Sequence, residues 1–268
     1  MKFMVLIRFI SLALCLSFNL PSHSGAWALE KGARQTIITG AYDSADRRFD
    51  DTGALQTGSQ YEKLETRIYA ERGLTDTITL VSGGGFQKVD LQSQGLAPQS
   101  YFGPVPTELG LRKQFIRRDK FVFSVQGSVI FASAGENMPE AKLGDGSINY
   151  EIRGLTGRSF TLASRPGFME VQAAYRARPS DASDEWRLDV TTGLDIRPNL
   201  QLLAQAFVIS SANPRAGGAT AYKSVKIQPS LVYKSTNARS YQIGGFATIS
   251  GEYALAERGL FIGLWQKY

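Results

Sequence analysis

The chain of 268 residues has one cysteine, Cys15, and one histidine, His23, and both lie near its start. Lys2 and Arg8 accompany an apolar stretch from Phe3 to Leu20. Pro21-Ser22-His23-Ser24-Gly25 follows, and then the small-x-small run Ala26-Trp27-Ala28. A basic start, an apolar middle and a small-residue end mark a secretory signal peptide over 1–28, with cleavage expected after Ala28. A membrane anchor is a poorer reading because Arg8 interrupts the segment. Lipidation at Cys15 is disfavoured by Leu14 directly before it and by the apolar run that continues beyond it. Cleavage lowers the formal charge from +6 to +4, since Lys2 and Arg8 leave and no acid does. The remaining chain has no thiol or imidazole. That excludes disulfides, Ser-His and Cys-His catalysis, and His or Cys metal ligation. No cofactor and no enzymatic activity are expected.

Also missing is any apolar run after residue 28 long enough for a membrane helix. Alternation takes its place. From Trp186 to Ile196, Trp186, Leu188, Val190, Leu194 and Ile196 interleave with Arg187, Asp189, Thr191, Gly193 and Asp195. A period of two sends the two sets to opposite faces of a strand. The pattern recurs in about twelve segments near 34–43, 61–73, 77–87, 105–116, 120–132, 147–157, 167–178, 184–196, 200–210, 222–234, 239–250 and 258–268. In one of them Phe121, Phe123, Val125, Val129 and Phe131 share a face. Phe121 and Phe131 are ten residues apart, which at a 45° tilt gives roughly 23 Å of height. An apolar band of that height edged by aromatics matches a transmembrane β-strand.

Link lengths alternate as well. Short links fall at Leu74-Thr75-Asp76, Arg117-Arg118-Asp119, Arg197-Pro198-Asn199 and Ser235-Thr236-Asn237-Ala238. Long polar links fall at 44–60, 88–104, 133–146 and 211–221, with moderate ones at 179–183 and 251–257. Only 158–166 is long for its place. Short periplasmic turns alternating with longer external loops are an outer-membrane signature. The expected fold is therefore all-β: one antiparallel transmembrane β-barrel of about twelve strands over 29–268, in the bacterial outer membrane. Both termini then face the periplasm. The last strand ends on Tyr268, in phase with Leu260, Ile262 and Leu264, like the terminal signal read by barrel-assembly machinery. Gln266 departs from the apolar residue expected there.

If the apolar set faces lipid, the opposite set faces the lumen: Glu65, Arg67, Glu71, Glu108, Arg112, Glu151, Arg153, Glu170, Arg176, Arg187, Asp189, Asp195, Lys226 and Lys234. These charges can neutralise one another across neighbouring strands. They can also border a water-filled path with bases along an anionic solute's route. Other motifs carry less. Ser82-Gly83-Gly84-Gly85 lacks the Lys-Ser/Thr ending of a phosphate loop and fits relief of strand curvature better. No pair of carboxylates stands out for glycoside hydrolysis. Asp43, Asp46, Asp50 and Asp51 miss the spacing of a calcium loop. No basic stripe with interleaved aromatics suggests nucleic-acid binding.

Several segments resemble one family. They are Glu108-Leu109-Gly110-Leu111-Arg112, Gly157-Arg158-Ser159-Phe160, Glu170-Val171-Gln172-Ala173-Ala174-Tyr175-Arg176, Lys226-Ile227-Gln228-Pro229-Ser230-Leu231-Val232-Tyr233 and Glu257-Arg258-Gly259-Leu260-Phe261-Ile262-Gly263-Leu264-Trp265. The chain is similar there to small Gram-negative outer-membrane proteins of Xag-type exopolysaccharide and adhesion loci. That resemblance implies passage or retention of a surface polysaccharide and transfers no catalytic residue. The expectation is a monomeric passive channel or export component with a saccharide cargo. The alternatives are an adhesive barrel with a plugged lumen and, further off, an outer-membrane hydrolase. Expected partners are outer-membrane lipid and lipopolysaccharide, the assembly machinery and a polysaccharide.

Overall fold

A computed structural model describes residues 25–93, 98–131, 147–179, 183–211 and 221–268. It contains strands β1 (Arg34–Phe49), β2 (Leu55–Thr75), β3 (Ile78–Ser93), β4 (Gln99–Pro104), β5 (Thr107–Arg118), β6 (Phe121–Phe131) and β7 (Ile148–Leu162). These are followed by β8 (Arg165–Ala177), β9 (Glu185–Arg197), β10 (Leu200–Ser211), β11 (Lys223–Lys234), β12 (Arg239–Glu252), β13 (Ala254–Leu255) and β14 (Arg258–Lys267). Each long strand pairs antiparallel with the next, and β1 pairs with both β2 and β14. The sheet therefore closes into a twelve-strand barrel, which leaves no open edge in the membrane. The two short strands are additions at the external end: β4 pairs with the upper part of β3, and β13 with the upper part of β1.

The period-two pattern becomes the two walls of this cylinder. Leu64, Ile152, Ile243 and Leu260 point outward with 61%, 61%, 62% and 71% of their surface exposed. An apolar surface of that extent on every strand is stable only against hydrocarbon. Inward residues fill much of the lumen. Phe168, Leu203, Val232 and Trp265, with Ile37 against them, form an apolar cluster near the short turns. Ala45, Tyr61, Val89 and Leu91 form another toward the external end.

Three links differ from the sequence expectation. The 158–166 link is a two-residue hairpin turn, because β7 and β8 pair all the way to Leu162↔Arg165. Ala163 and Ser164 hold φ of 47° and 62° there, the left-handed pair that a type I′ turn needs. Neither residue has glycine's freedom. Ala163→Asn with Ser164→Gly is therefore expected to stabilise the barrel by about 1–2 kcal/mol in equilibrium urea unfolding. The 44–60 link is mostly strand, leaving a tight turn at residues 50–54, and 88–104 contains the end of β3 and all of β4. The 133–146 link lies outside the described residues. The glycines at 83–85 sit where β3 changes partner from β5 to β4. A Cβ at Gly85 would overlap the Thr66 carbonyl, so this glycine permits a close strand approach and has no phosphate-loop role.

Candidate functional site

Two structures share the lumen, and the first is the chain's own leading segment. Residues 25–33 enter at the short-turn end and run along the inner wall of β2, β3 and β5–β8. Gly32 donates its backbone N–H to Gly73 O at 2.8 Å, and Gly73 N donates to Ala33 O at 2.9 Å. Further in, Leu29 N donates to Thr79 Oγ1 at 3.1 Å, Ala28 N to Gln114 Oε1 at 3.0 Å and Ala26 N to Glu170 Oε2 at 2.8 Å. Arg112 donates to the Gly25 carbonyl and Ser124 Oγ to the Ala26 carbonyl. Ala26 is fully buried with Val122 and Leu155, and Trp27 packs against them. A Cβ at Gly73 would overlap the Glu30 carbonyl, and one at Gly157 would overlap the Trp27 ring. These wall glycines make room for the segment. Residues 1–24 lie outside the described residues.

The second structure is a cavity of about 590 Å³ on the opposite side, bordered by β1, β2, β9–β12 and β14. Its volume falls within the usual range for small-molecule sites. Four cations line it, Lys63, Arg67, Arg187 and Lys226, as do four carboxylates, Asp43, Glu65, Asp189 and Glu257. Most of these charges are matched. Lys63 Nζ lies 3.1 Å from Asp43 Oδ2 and 3.4 Å from Glu65 Oε2. Arg67 pairs with Glu65, and Lys226 Nζ lies 2.6 Å from Glu257 Oε2. Asp189 pairs with Arg153, and Arg187 reaches Glu185 at 2.8 Å. Burial opposes the charge on Glu257, in the link before β14, but Lys226 and Lys63 hold its carboxyl below the usual range. One acceptor is left over: Asp43 Oδ1 is buried with no hydrogen-bond partner among the described residues. Phe207, Phe246, Phe261 and Trp265 supply apolar wall.

The fourteen charged positions singled out in the sequence all lie on inward faces, in two settings. Glu65, Arg67, Arg187, Asp189 and Lys226 border the cavity. The others belong to paired networks. Glu71 pairs with Arg112. Glu151 holds Arg153 at 2.8 Å and Arg176 at 3.0 Å. Lys234 Nζ lies 2.8 Å from Asp195 Oδ1, and Glu108 accepts from Gln126 and Ser128. Glu170 accepts from Gln172 besides Ala26. The sequence reading missed Lys63, Glu185 and Glu257. Lys63 and Glu185 were within reach, being in phase with Glu65 and Arg187. Glu257 stands in a link, where periodicity says nothing.

The aspartates weighed as calcium ligands are spread apart. Asp43 is in the lumen, and Asp46 faces outward 3.5 Å from Arg258. Asp50 organises the β1–β2 turn: its carboxylate accepts from the Gln56 side chain, the Thr52 hydroxyl and the Thr52 and Ala54 backbone N–H groups, at 2.8–2.9 Å. Those bonds, Gln56 foremost, lower its pKa from 3.8 to about 2. A depressed carboxylate contributes stability that is complete above 3.8 and lost as pH falls through about 2. A carboxyl-carbon NMR titration of Asp50 should therefore have its midpoint near 2, and a midpoint at 3.8 would mean the turn is not closed this way.

No family model and no curated relative matches the chain in sequence. Among solved structures it is similar to the COG4313 outer membrane channel from Pseudomonas putida F1, at 13% identity over 92% of this chain and 99% of that one, with a TM-score of 0.67. It is also similar to the NanC porin, at 11% identity over 85% and 98% of the two chains, and to the KdgM porin, at 8% over 86% and 98%. The TM-score is 0.52 in both cases. At such identities the likeness is one of fold. The closed sheet, the lipid-facing belt and this shared architecture make the chain an outer-membrane β-barrel.

Proposed function

We propose that this barrel is a passive outer-membrane channel for small, neutral, hydroxyl-rich solutes, with saccharides the favoured class. The supporting observation is the cavity wall. Its eight charges balance four against four and are largely neutralised by neighbours, so it offers little net field to select an ion. Aromatic faces suit sugar C–H surfaces, and wall amides such as Gln205 and Gln228 suit hydroxyls. This favours hydroxyl-rich over acidic cargo. The structural likeness to a channel and two porins is in keeping with the reading.

Single-channel recording in planar bilayers tests it. The expected result is a small conductance with nearly equal anion and cation permeability, reduced by added neutral oligosaccharides. Silence at every voltage would favour the adhesive alternative, for which the lumenal segment 25–33 is the specific argument. A heat-modifiable gel band should accompany either outcome, because closed barrels resist detergent until boiled.

The start of the mature chain bears on this function. Cleavage after Ala28 would carry off Gly25–Ala28 together with their contacts to Glu170, Gln114, Ser124 and Arg112. A cut ahead of Gly25, where Ser22 and Ser24 are the small residues, would keep them. Those contacts favour the earlier cut. Intact mass of the membrane-extracted protein should correspond to a chain beginning at Gly25, and a mass beginning at Leu29 would restore the later one.

A further inference from the structure

The barrel's two rims treat their outward cations differently. At the external rim each of three lipid-side cations has an acid beside it: Lys88 with Asp90 at 2.9 Å, Lys223 with Glu252 at 2.9 Å, and Arg258 with Asp46 at 3.5 Å. At the short-turn rim, Arg34, Arg72, Lys113, Arg118 and Arg158 are exposed. They lie in phase with lipid-facing Ile38, Ile68, Leu111, Phe121 and Ile152, and no ion pair is found for any of them among the described residues. Arg34 and Arg72 are direct cross-strand partners on β1 and β2. Like charges placed directly opposite repel one another. Arg118 and Arg158 flank Phe121, being its register partners on β5 and β7. Phe121 marks the lower edge of the apolar band, so these guanidinium groups stand at the level of lipid headgroups.

We propose that this rim is a binding collar for anionic phospholipid headgroups of the inner leaflet. The phosphate supplies the counter-charge that the protein omits. The Arg34–Arg72 pair and the Arg118–Phe121–Arg158 row are its two best-defined seats. Long cationic side chains at a barrel edge reach naturally to that depth, and clustered bases beside a membrane surface attract acidic lipid. The short turns assign this rim to the periplasmic side, where the leaflet is phospholipid. The paired cations of the opposite rim have less charge to offer lipopolysaccharide.

The test uses spin-labelled lipids and the full-length barrel reconstituted in phosphatidylcholine bilayers at low salt. Spin-labelled phosphatidylglycerol should be motionally restricted by the barrel severalfold more strongly than spin-labelled phosphatidylcholine. That preference should shrink as salt rises and the Debye length falls from about 10 Å at 0.1 M to about 3 Å at 1 M. Arg34→Gln/Arg72→Gln and Arg118→Gln/Arg158→Gln, made as separate pairs, should each reduce it. Lys88→Gln/Lys223→Gln at the other rim should leave it intact. Equal restriction of both lipids, or a preference that survives both arginine pairs, would overturn the proposal. So would a stronger preference for lipid A that the same arginine pairs abolish, since that would assign the rim to the other leaflet. Should a pair fail to insert, the salt dependence and the Lys88/Lys223 control on the remaining proteins still decide the matter. None of these outcomes depends on whether the lumen conducts.

Discussion

Replacing Gly73 and Gly157 with valine will raise the conductance of the reconstituted barrel severalfold. Both glycines face the lumen, and each leaves space that a side chain would take from the leading segment: Gly73 beside the Glu30 and Leu29 carbonyls, Gly157 beside the Trp27 indole. Valine suits a strand, so the wall should tolerate it while the segment must move. Two separate anchor points then weaken together, at the rim and at the apolar contact with Val122 and Leu155. The measurement is single-channel current, with heat-modifiable migration confirming an intact barrel. The single variants separate two cases. If the mature chain begins at Leu29, Gly157→Val changes nothing and Gly73→Val still opens the path. If it begins at Gly25, both act. Currents like the wild type's in both would mean that the segment does not limit flow.

The second large effect is expected at Arg112. It is 1% exposed, pairs with Glu71 and donates to the Gly25 carbonyl. Arg112→Met leaves the buried carboxylate of Glu71 without its countercharge. Breaking one side of a buried pair typically costs about 3–5 kcal/mol. Equilibrium urea unfolding in lipid vesicles should show a loss of that order. Arg112→Met with Glu71→Gln should recover much of it, because the orphaned charge is then gone as well. A loss below about 1 kcal/mol in the single variant would mean that lumenal water screens Glu71 as it would an exposed pair. The loosened Gly25 contact also predicts higher conductance, which links the stability of the network to the width of the path.

The barrel could be read from the sequence because its cause is local. Each strand must present one apolar and one polar face, and Trp186–Ile196 does so without reference to any other part of the chain. The strand order follows almost as directly, since short links leave a strand few neighbours but the next one. Errors gathered where the alternation weakens. The 163–164 turn was hidden because Ala and Ser adopt a geometry usually given to Asn and Gly. β4 and the upper ends of β1–β3 escape the pattern because the faces invert above the membrane: Val89 and Leu91 point inward while Lys88 and Asp90 point out.

The inward direction of Glu65, Arg112 and Lys226 is inherent in the two-residue repeat, but their partners are not. Whether Arg153 meets Glu151, Asp189 or both depends on register across three strands, which no single strand specifies. Residues 25–33 show the limit most sharply. They have no period, and their place in the lumen depends on spaces at Gly73 and Gly157 that exist only once the sheet has closed. The chain's own chemistry therefore determined a cylinder between lipid and water. The closed structure alone decided how much of that water-facing space the protein fills itself, because filling it requires groups far apart in sequence to converge.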